Sequence, residues 1–221
     1  MKTLDQIRDD LRELETTHYY SEDFEWLSAV RAYRSALSNE ETSLFRDVVY
    51  SRLLLDGSMT DILLCTVDEI PGAASILATK LDAESTTSQL TRALITALQG
   101  YRDSDAFRAV LRFVDSGQEG EALRALGLID FPRALPFIAR AVRKEYHRDL
   151  VLHILHDRYR SIGADALLRE LRKFAMGWSD PELASRLCNA LRAKQGPYNP
   201  FSDDEVRWIA DGLLASTDGG N

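Results

Sequence analysis

Residues 128–155 read LIDFPRALPFIARAVRKEYHRDLVLHIL, and their apolar spacing decides the fold class. The spacing predicts two short amphipathic helices joined by a tight turn. The first spans about Pro132 to Lys144. Asp130 stands just ahead of it, where a carboxylate accepts hydrogen bonds from free N–H groups. Pro132 fits the first turn, where a missing N–H costs nothing. Pro136 lies early enough to bend the helix without breaking it. Leu135, Ile138, Ala139 and Val142 form an apolar stripe, which Phe137 and Ala141 widen. Arg143 and Lys144 suit the negative end of the helix dipole. The second helix, about Tyr146 to Tyr159, buries Val151, Leu152, Leu155 and Tyr159. Its opposite face carries Asp149, His153, His156 and Arg160.

Weaker copies of this pattern flank it on both sides. Upstream, helices are predicted at about 86–99 (Leu90, Leu94, Ile95, Leu98), 105–115 (Phe107, Val110, Leu111, Val114) and 119–128. Asp103, Ser104 and Asp105 cap the second of these. Downstream, Gly163 precedes a helix holding Leu167, Leu168, Leu171 and Phe174. Trp178 falls in the next turn. Ser179 or Asp180, followed by Pro181, then starts a helix with Leu183, Leu187, Cys188 and Leu191 inward. Ala106, Ala134 and Ala166 occupy equivalent places. The interval of roughly thirty residues is that of stacked helical hairpins.

The run Asp130, Pro132, Arg133, Ala134, Leu135, Pro136 resembles the start of a HEAT-type repeat. It is most similar to the short HEAT-like repeats of phycobilisome lyases. Val142-Arg143 through Arg148, with Leu152 to Leu155, resembles the second helix of such a repeat. Phe131, between the Asp and the Pro, departs from that pattern. So do the His and Leu residues standing where the family has small alanines. The resemblance is strongest over residues 103–194. It implies an all-α, HEAT-like α-solenoid of stacked antiparallel hairpins, right-handed, as a single domain over 1–221. It implies no particular activity, because that fold hosts scaffolds, inhibitors and a few enzymes.

Within that frame, residues 1–82 are atypical N-terminal helices, 85–194 regular HEAT-like units, and 195–216 a loop and a C-terminal capping helix. The first helix, 3–17, places Leu4, Ile7, Leu11 and Leu14 on one stripe. Tyr19 to Trp26 is the densest stretch of aromatics and acids, with Ser21 as its N-cap. Tyr19, Tyr20 and Trp26 are candidate anchors for a partner, since exposed aromatics bind well. Ser38 or Asn39 caps a helix running to Leu55, with Leu44, Val48, Leu53 and Leu55 as core candidates. Asp56-Gly57-Ser58 stops it. Helices at 59–68 and 70–82 follow, with Pro71 early in the second. Ser202 and Glu205 form a capping box for the last helix. Twelve or thirteen helices are expected in all.

The chain has 221 residues and a net charge of −8. Its charge is uneven: residues 1–80 sum to −7 and residues 131–195 to +6. Arg140, Arg143, Lys144, Arg148, Arg158, Arg160, Arg169, Arg172 and Lys173 could line up as a basic stripe. A nucleic acid is one ligand for such a stripe, but the overall acidity argues against it. A family of DNA glycosylases uses HEAT-like repeats, and Trp178 with Asp180 is the one pair here that could serve such an enzyme. A bilin-lyase-like activity is the other enzymatic alternative. No phosphate loop, nucleophile elbow, paired-Cys zinc pattern or dinucleotide fingerprint is present. Asp149, His153, His156 and Asp157 share a helix face, yet no second cluster supplies further metal ligands, so neither metal nor cofactor is expected. Cys65 and Cys188 read as buried reduced thiols.

No apolar run is long enough to cross a bilayer, and the charged N-terminus does not read as a signal peptide. The expectation is a cytoplasmic, non-catalytic protein-binding module. A small bacterial inhibitor or immunity-type protein, turning acidic residues to a basic toxin, is its specific form. The surfaces expected to bind are Tyr19, Tyr20 and Trp26 near the N-terminus, and Asp149, His153, His156 and Arg160 further on.

Overall fold

A computed structural model describes residues 1–18, 25–83, 89–141, 148–174, 176–193 and 202–214. Among these the chain is all-helical, with thirteen α-helices, one 3₁₀ turn and no strand. They group into two compact units, residues 1–118 and 119–221. That boundary falls inside the stretch 85–194, which reads as one regular series in the sequence.

The first unit holds α1 (Leu4–His18), α2 (Glu25–Ala36), α3 (Asn39–Leu55), α4 (Met59–Leu64), α5 (Ala73–Ala83), α6 (Gln89–Leu98) and α7 (Ser104–Leu111). Its principal packing pairs are α1 with α2 and α3, α3 with α4 and α5, α4 with α6, α5 with α6 and α7, and α6 with α7. Each partner is thus the next helix or the next but one.

Local chemistry sets these boundaries. Ser38, and not Asn39, caps α3: its hydroxyl accepts from the Glu41 N–H at 3.3 Å, and the Glu41 carboxylate accepts from the Ser38 N–H at 3.0 Å. The same reciprocal box recurs unannounced at α4, between Ser58 and Asp61. The two boxes satisfy donors that a helix start leaves open. Between them, Gly57 sits at φ +60°, where a side chain is strained. A Cβ there would also lie 2.9 Å from the Leu53 carbonyl oxygen.

The helix expected at 59–68 ends at Leu64, because Cys65, Thr66 and Val67 turn to tighter bonds onto Ile62, Leu63 and Leu64. The next starts at Ala73, not 70, because Gly72 adopts φ +79°. Leu55 is a second correction. It is 88% exposed, and Phe45, Val48, Val49 and Leu53 form the buried stripe instead. Leu55 follows the buried Val48 by seven residues, so the helical period alone puts it on the same side; it is exposed because α3 ends there. Leu4, Leu14 and Leu44 are half-buried, whereas Ile7 and Leu11 are fully enclosed.

The second unit holds α8 (Glu119–Ile129), α9 (Phe131–Ala141), α10 (Arg148–Ile162), α11 (Ala164–Phe174), the 3₁₀ turn Met176–Ser179, α12 (Pro181–Ala193) and α13 (Asp203–Leu214). Here α8 packs on α9 and α10, α9 on α10 and α11, and α10 on α11 and α12. The last helix, α13, packs on α9 and α10. Asp130 and Asp180 cap as the sequence predicts: Asp130 accepts from the Arg133 N–H at 3.3 Å, and Asp180 from the Glu182 N–H at 2.8 Å. Pro136 lies inside α9, which continues past it to Ala141. The α10 helix outlasts its expected end at Tyr159 and stops at Ile162, where Gly163 takes φ +79° and its N–H bonds the Tyr159 carbonyl at 2.8 Å.

Small residues let these helices approach closely. A Cβ on Gly127 would meet the Ile154 methyl at 2.8 Å, and one on Gly212 would meet the Trp178 ring at 3.0 Å. Trp178 itself is 0% exposed and is the largest enclosed side chain. A turn residue has no helical period, so nothing in its spacing announces that burial.

Candidate interaction surfaces

Charge divides sharply between the units. Residues 1–118 hold twelve Lys and Arg against twenty Asp and Glu, a net −8; residues 119–221 hold fifteen of each, a net of zero. The whole excess of acid belongs to the first unit.

Part of that acid is consumed internally. Asp68 takes Arg34 at 2.6 Å and both Nε and Nη2 of Arg46 at 3.0 Å. Burial pushes its carboxyl up, but the hydrogen bonds from Arg46 and Arg34 outweigh that and lower its pKa. Arg52 joins three helices: it holds Glu15 of α1 at 2.8 Å and Asp61 of α4 at 2.7 Å. Burial opposes the Arg52 charge, and the bonds to Glu15 and Asp61 overcome it and raise its pKa. Glu41 accepts from the backbone N–H groups of Ser38 and Lys2, which hold its pKa down to about 2. Asp10, bonded by Lys2 and Tyr33, is likewise lowered.

Other acids of this unit face solvent. On α3, Glu40, Ser43, Asp47, Ser51, Leu54 and Leu55 recur at intervals of three, four or one, and all are exposed. Neither Glu40 nor Asp47 meets a cation among the described residues. Leu54 at 58% and Leu55 at 88% stand beside them, and Met59 follows at 38%.

Of the surfaces the sequence singles out, Tyr19 and Tyr20 lie outside the described residues. Trp26 is half-buried near the start of α2. Asp149, His153, His156 and Arg160 all belong to α10 at spacings of four, three and four, so one stripe carries them. His153 and Arg160 are exposed and His156 is half-buried; the side chain of Asp149 lies outside the described residues. Their neighbour Asp157 faces Arg124 of α8 at 3.4 Å. Among the described residues no group of three or more His, Cys, Asp or Glu is arranged to hold a metal.

The basic stripe is only partly a surface. Arg143 and Lys144 lie outside the described residues, as does the Arg148 side chain. Arg158 forms a two-pronged pair with Glu170, at 2.9 and 2.5 Å, and stacks over Phe131 at 5.5 Å. Arg172 donates to the Trp178 carbonyl at 3.2 Å. Arg140, Arg160, Arg169, Arg172 and Lys173 are exposed. Trp178, the aromatic that a glycosylase-type cleft would use, is enclosed in the core.

Both thiols are free, Cys65 buried and Cys188 only half-buried. Burial raises the Cys65 pKa to about 12, which keeps it a poor nucleophile. Open clefts lie among the described residues. One, between α12 and α13, has a volume of about 740 Å³ and is lined by Glu182, Arg186, Asn189, Asp204 and Trp208. Its Arg186 guanidinium lies 4.5 Å from the centre of the Trp208 ring. Another, about 350 Å³, runs between α5 and α7 past the ion pairs Arg112–Asp82 and Arg108–Asp105.

These features define an all-helical protein with one acidic and one neutral unit. No family model, curated protein or solved structure matches the chain. Among the described residues no helix is long and apolar enough to cross a membrane.

Proposed function

We propose that the chain is a non-catalytic protein-binding module whose acidic first unit engages a basic protein partner. The observation that carries this is the charge partition: −8 in the first unit, zero in the second. A concentrated field of one sign speeds encounter with the opposite sign and rejects like-charged competitors. In its specific form the chain is a small cytoplasmic bacterial inhibitor or immunity-type protein facing a basic toxin. The HEAT-like α-solenoid reading draws support from the order of packing in both units, where helices meet mostly the next and the next but one. The α13 helix, which packs on α9 and α10, fits the role of a closing cap. A nucleic-acid or glycosylase reading has less behind it, since Arg158 is paired with Glu170 and Trp178 is enclosed in the core.

Affinity capture from the source cells, at low salt and at about 0.5 M salt, tests the proposal. The expected catch is a protein of basic isoelectric point that high salt releases. A partner removed by nuclease treatment, or one indifferent to salt, would overturn it.

A further inference from the structure

We infer that the outward face of α3 is the docking surface, and that its occupant is a basic segment of another protein with apolar side chains in its midst. This rests on the proposed function and gives that function an address.

The face runs from Glu40 to Leu54, about 21 Å at the rise of an α-helix. Its acidic end carries Glu40 and Asp47, which meet no cation among the described residues, although the same helix commits Arg46 and Arg52 to Asp68, Glu15 and Asp61. Its other end carries Leu54 and Leu55, 58% and 88% exposed, with Met59 at 38% just beyond the turn. Among the described residues only Met1 and Leu128 join these three as large, well-exposed apolar side chains.

The two halves of the face select one kind of occupant. Apolar side chains set over Leu54 and Leu55 would remove oily surface from water on both sides. Lys or Arg on the same segment would meet Asp47 and Glu40, whose charges are not already neutralised. Those carboxylates repel an anionic lipid surface, which argues against a membrane as the occupant. The carboxylates on the same face also disfavour a second acidic copy of the same unit.

The test uses the full chain and two synthetic peptides of about five helical turns. One has leucines on one face flanked by lysines; the other keeps every lysine and replaces each leucine by serine. The chain is expected to bind the leucine-bearing peptide about tenfold more tightly. The double substitution Leu54→Ser and Leu55→Ser should abolish that difference and leave binding of the serine peptide unchanged. Neither change alters the charge, so the loss reads apolar contact alone. An unchanged melting temperature and circular dichroism show that the variant folds, as exposed positions allow.

If the double variant keeps the full preference for leucine, the face is not the site, while the reading of a basic partner survives. If the unaltered chain binds neither peptide at low salt, the reading of a basic partner fails, and the docking face with it. Sedimentation of the chain alone supplies the last arm. An oligomer that the serine variants dissolve would mean that a second copy covers the leucines, which overturns the proposal.

Discussion

The two units solve the same packing problem with different chemistry. In the first, charge networks span helices far apart in sequence: Arg52 ties α3 to α1 and α4, and Asp68 gathers Arg34 and Arg46. In the second, helices meet through close apolar contacts, with Gly127 against Ile154 and Gly212 against Trp178. The Arg158–Glu170 pair is its shortest ion pair between helices among the described residues. The difference explains how the first unit carries so much acid and still folds. Acids inside the networks hold helices together, and acids outside them, such as Glu40 and Asp47, face solvent. A network fixes geometry only while every member is present, because a lone buried charge is costly. An apolar contact fails in proportion to the volume removed or added.

That contrast can be broken most severely at Trp178. Trp178→Ala should cost about 4 kcal/mol in urea unfolding. Hydrogen exchange should show the loss first in residues 119–214. A cost below about 1 kcal/mol would mean the ring is not what holds α13 in place. Arg52→Ala comes next, at about 3 kcal/mol, because it strands Asp61, which is 3% exposed, and Glu15 at once. Adding Asp61→Asn to that variant should recover part of the loss. No recovery would show that packing of the arginine stem, and not charge, was the larger part.

Gly127→Val should cost about 2 kcal/mol by forcing Ile154 aside. Ile154→Ala should then be less harmful in that background than alone, which a double-mutant cycle would detect. The smallest effect is acid sensitivity. Glu41 has a folded pKa near 2, below the ordinary carboxylate range. Its contribution to stability is therefore complete above about pH 4.5 and lost as the pH falls towards 2. Asp10 and Asp68 shift in the same direction. Glu41→Gln should flatten the dependence of the urea midpoint on pH across that window. An equally steep dependence would assign the acid response elsewhere.

What the sequence made legible was the local part. The three-and-four spacing of Ile7 and Leu11, Leu94 and Leu98, Leu135 and Ile138, or Leu187 and Leu191 marks side chains that are buried. Asp103, Asp130 and Asp180 announce helix starts because a cap acts over two or three residues. The charge networks stayed hidden, since Arg52 finds Glu15 across 37 positions with no period to signal it. Leu55 misled for the opposite reason: its type fits the core, and only the orientation at the end of α3 turns it outward. The candidate surface was half legible. The acidity of the N-terminal part is plain in the composition. Which acids remain unpaired depends on contacts between helices. Tyr19 and Tyr20, candidate anchors by residue type, lie outside the described residues, while nothing in the spacing of Leu54 and Leu55 marks them as a surface.

The central claim is that a basic partner docks on the first unit and leaves the second free. Hydrogen–deuterium exchange on the full chain, with and without its captured partner, tests it most directly. The account predicts that protection concentrates in residues 39–59, around α3 and the start of α4. Protection confined to α10, around His153 and Arg160, would contradict it.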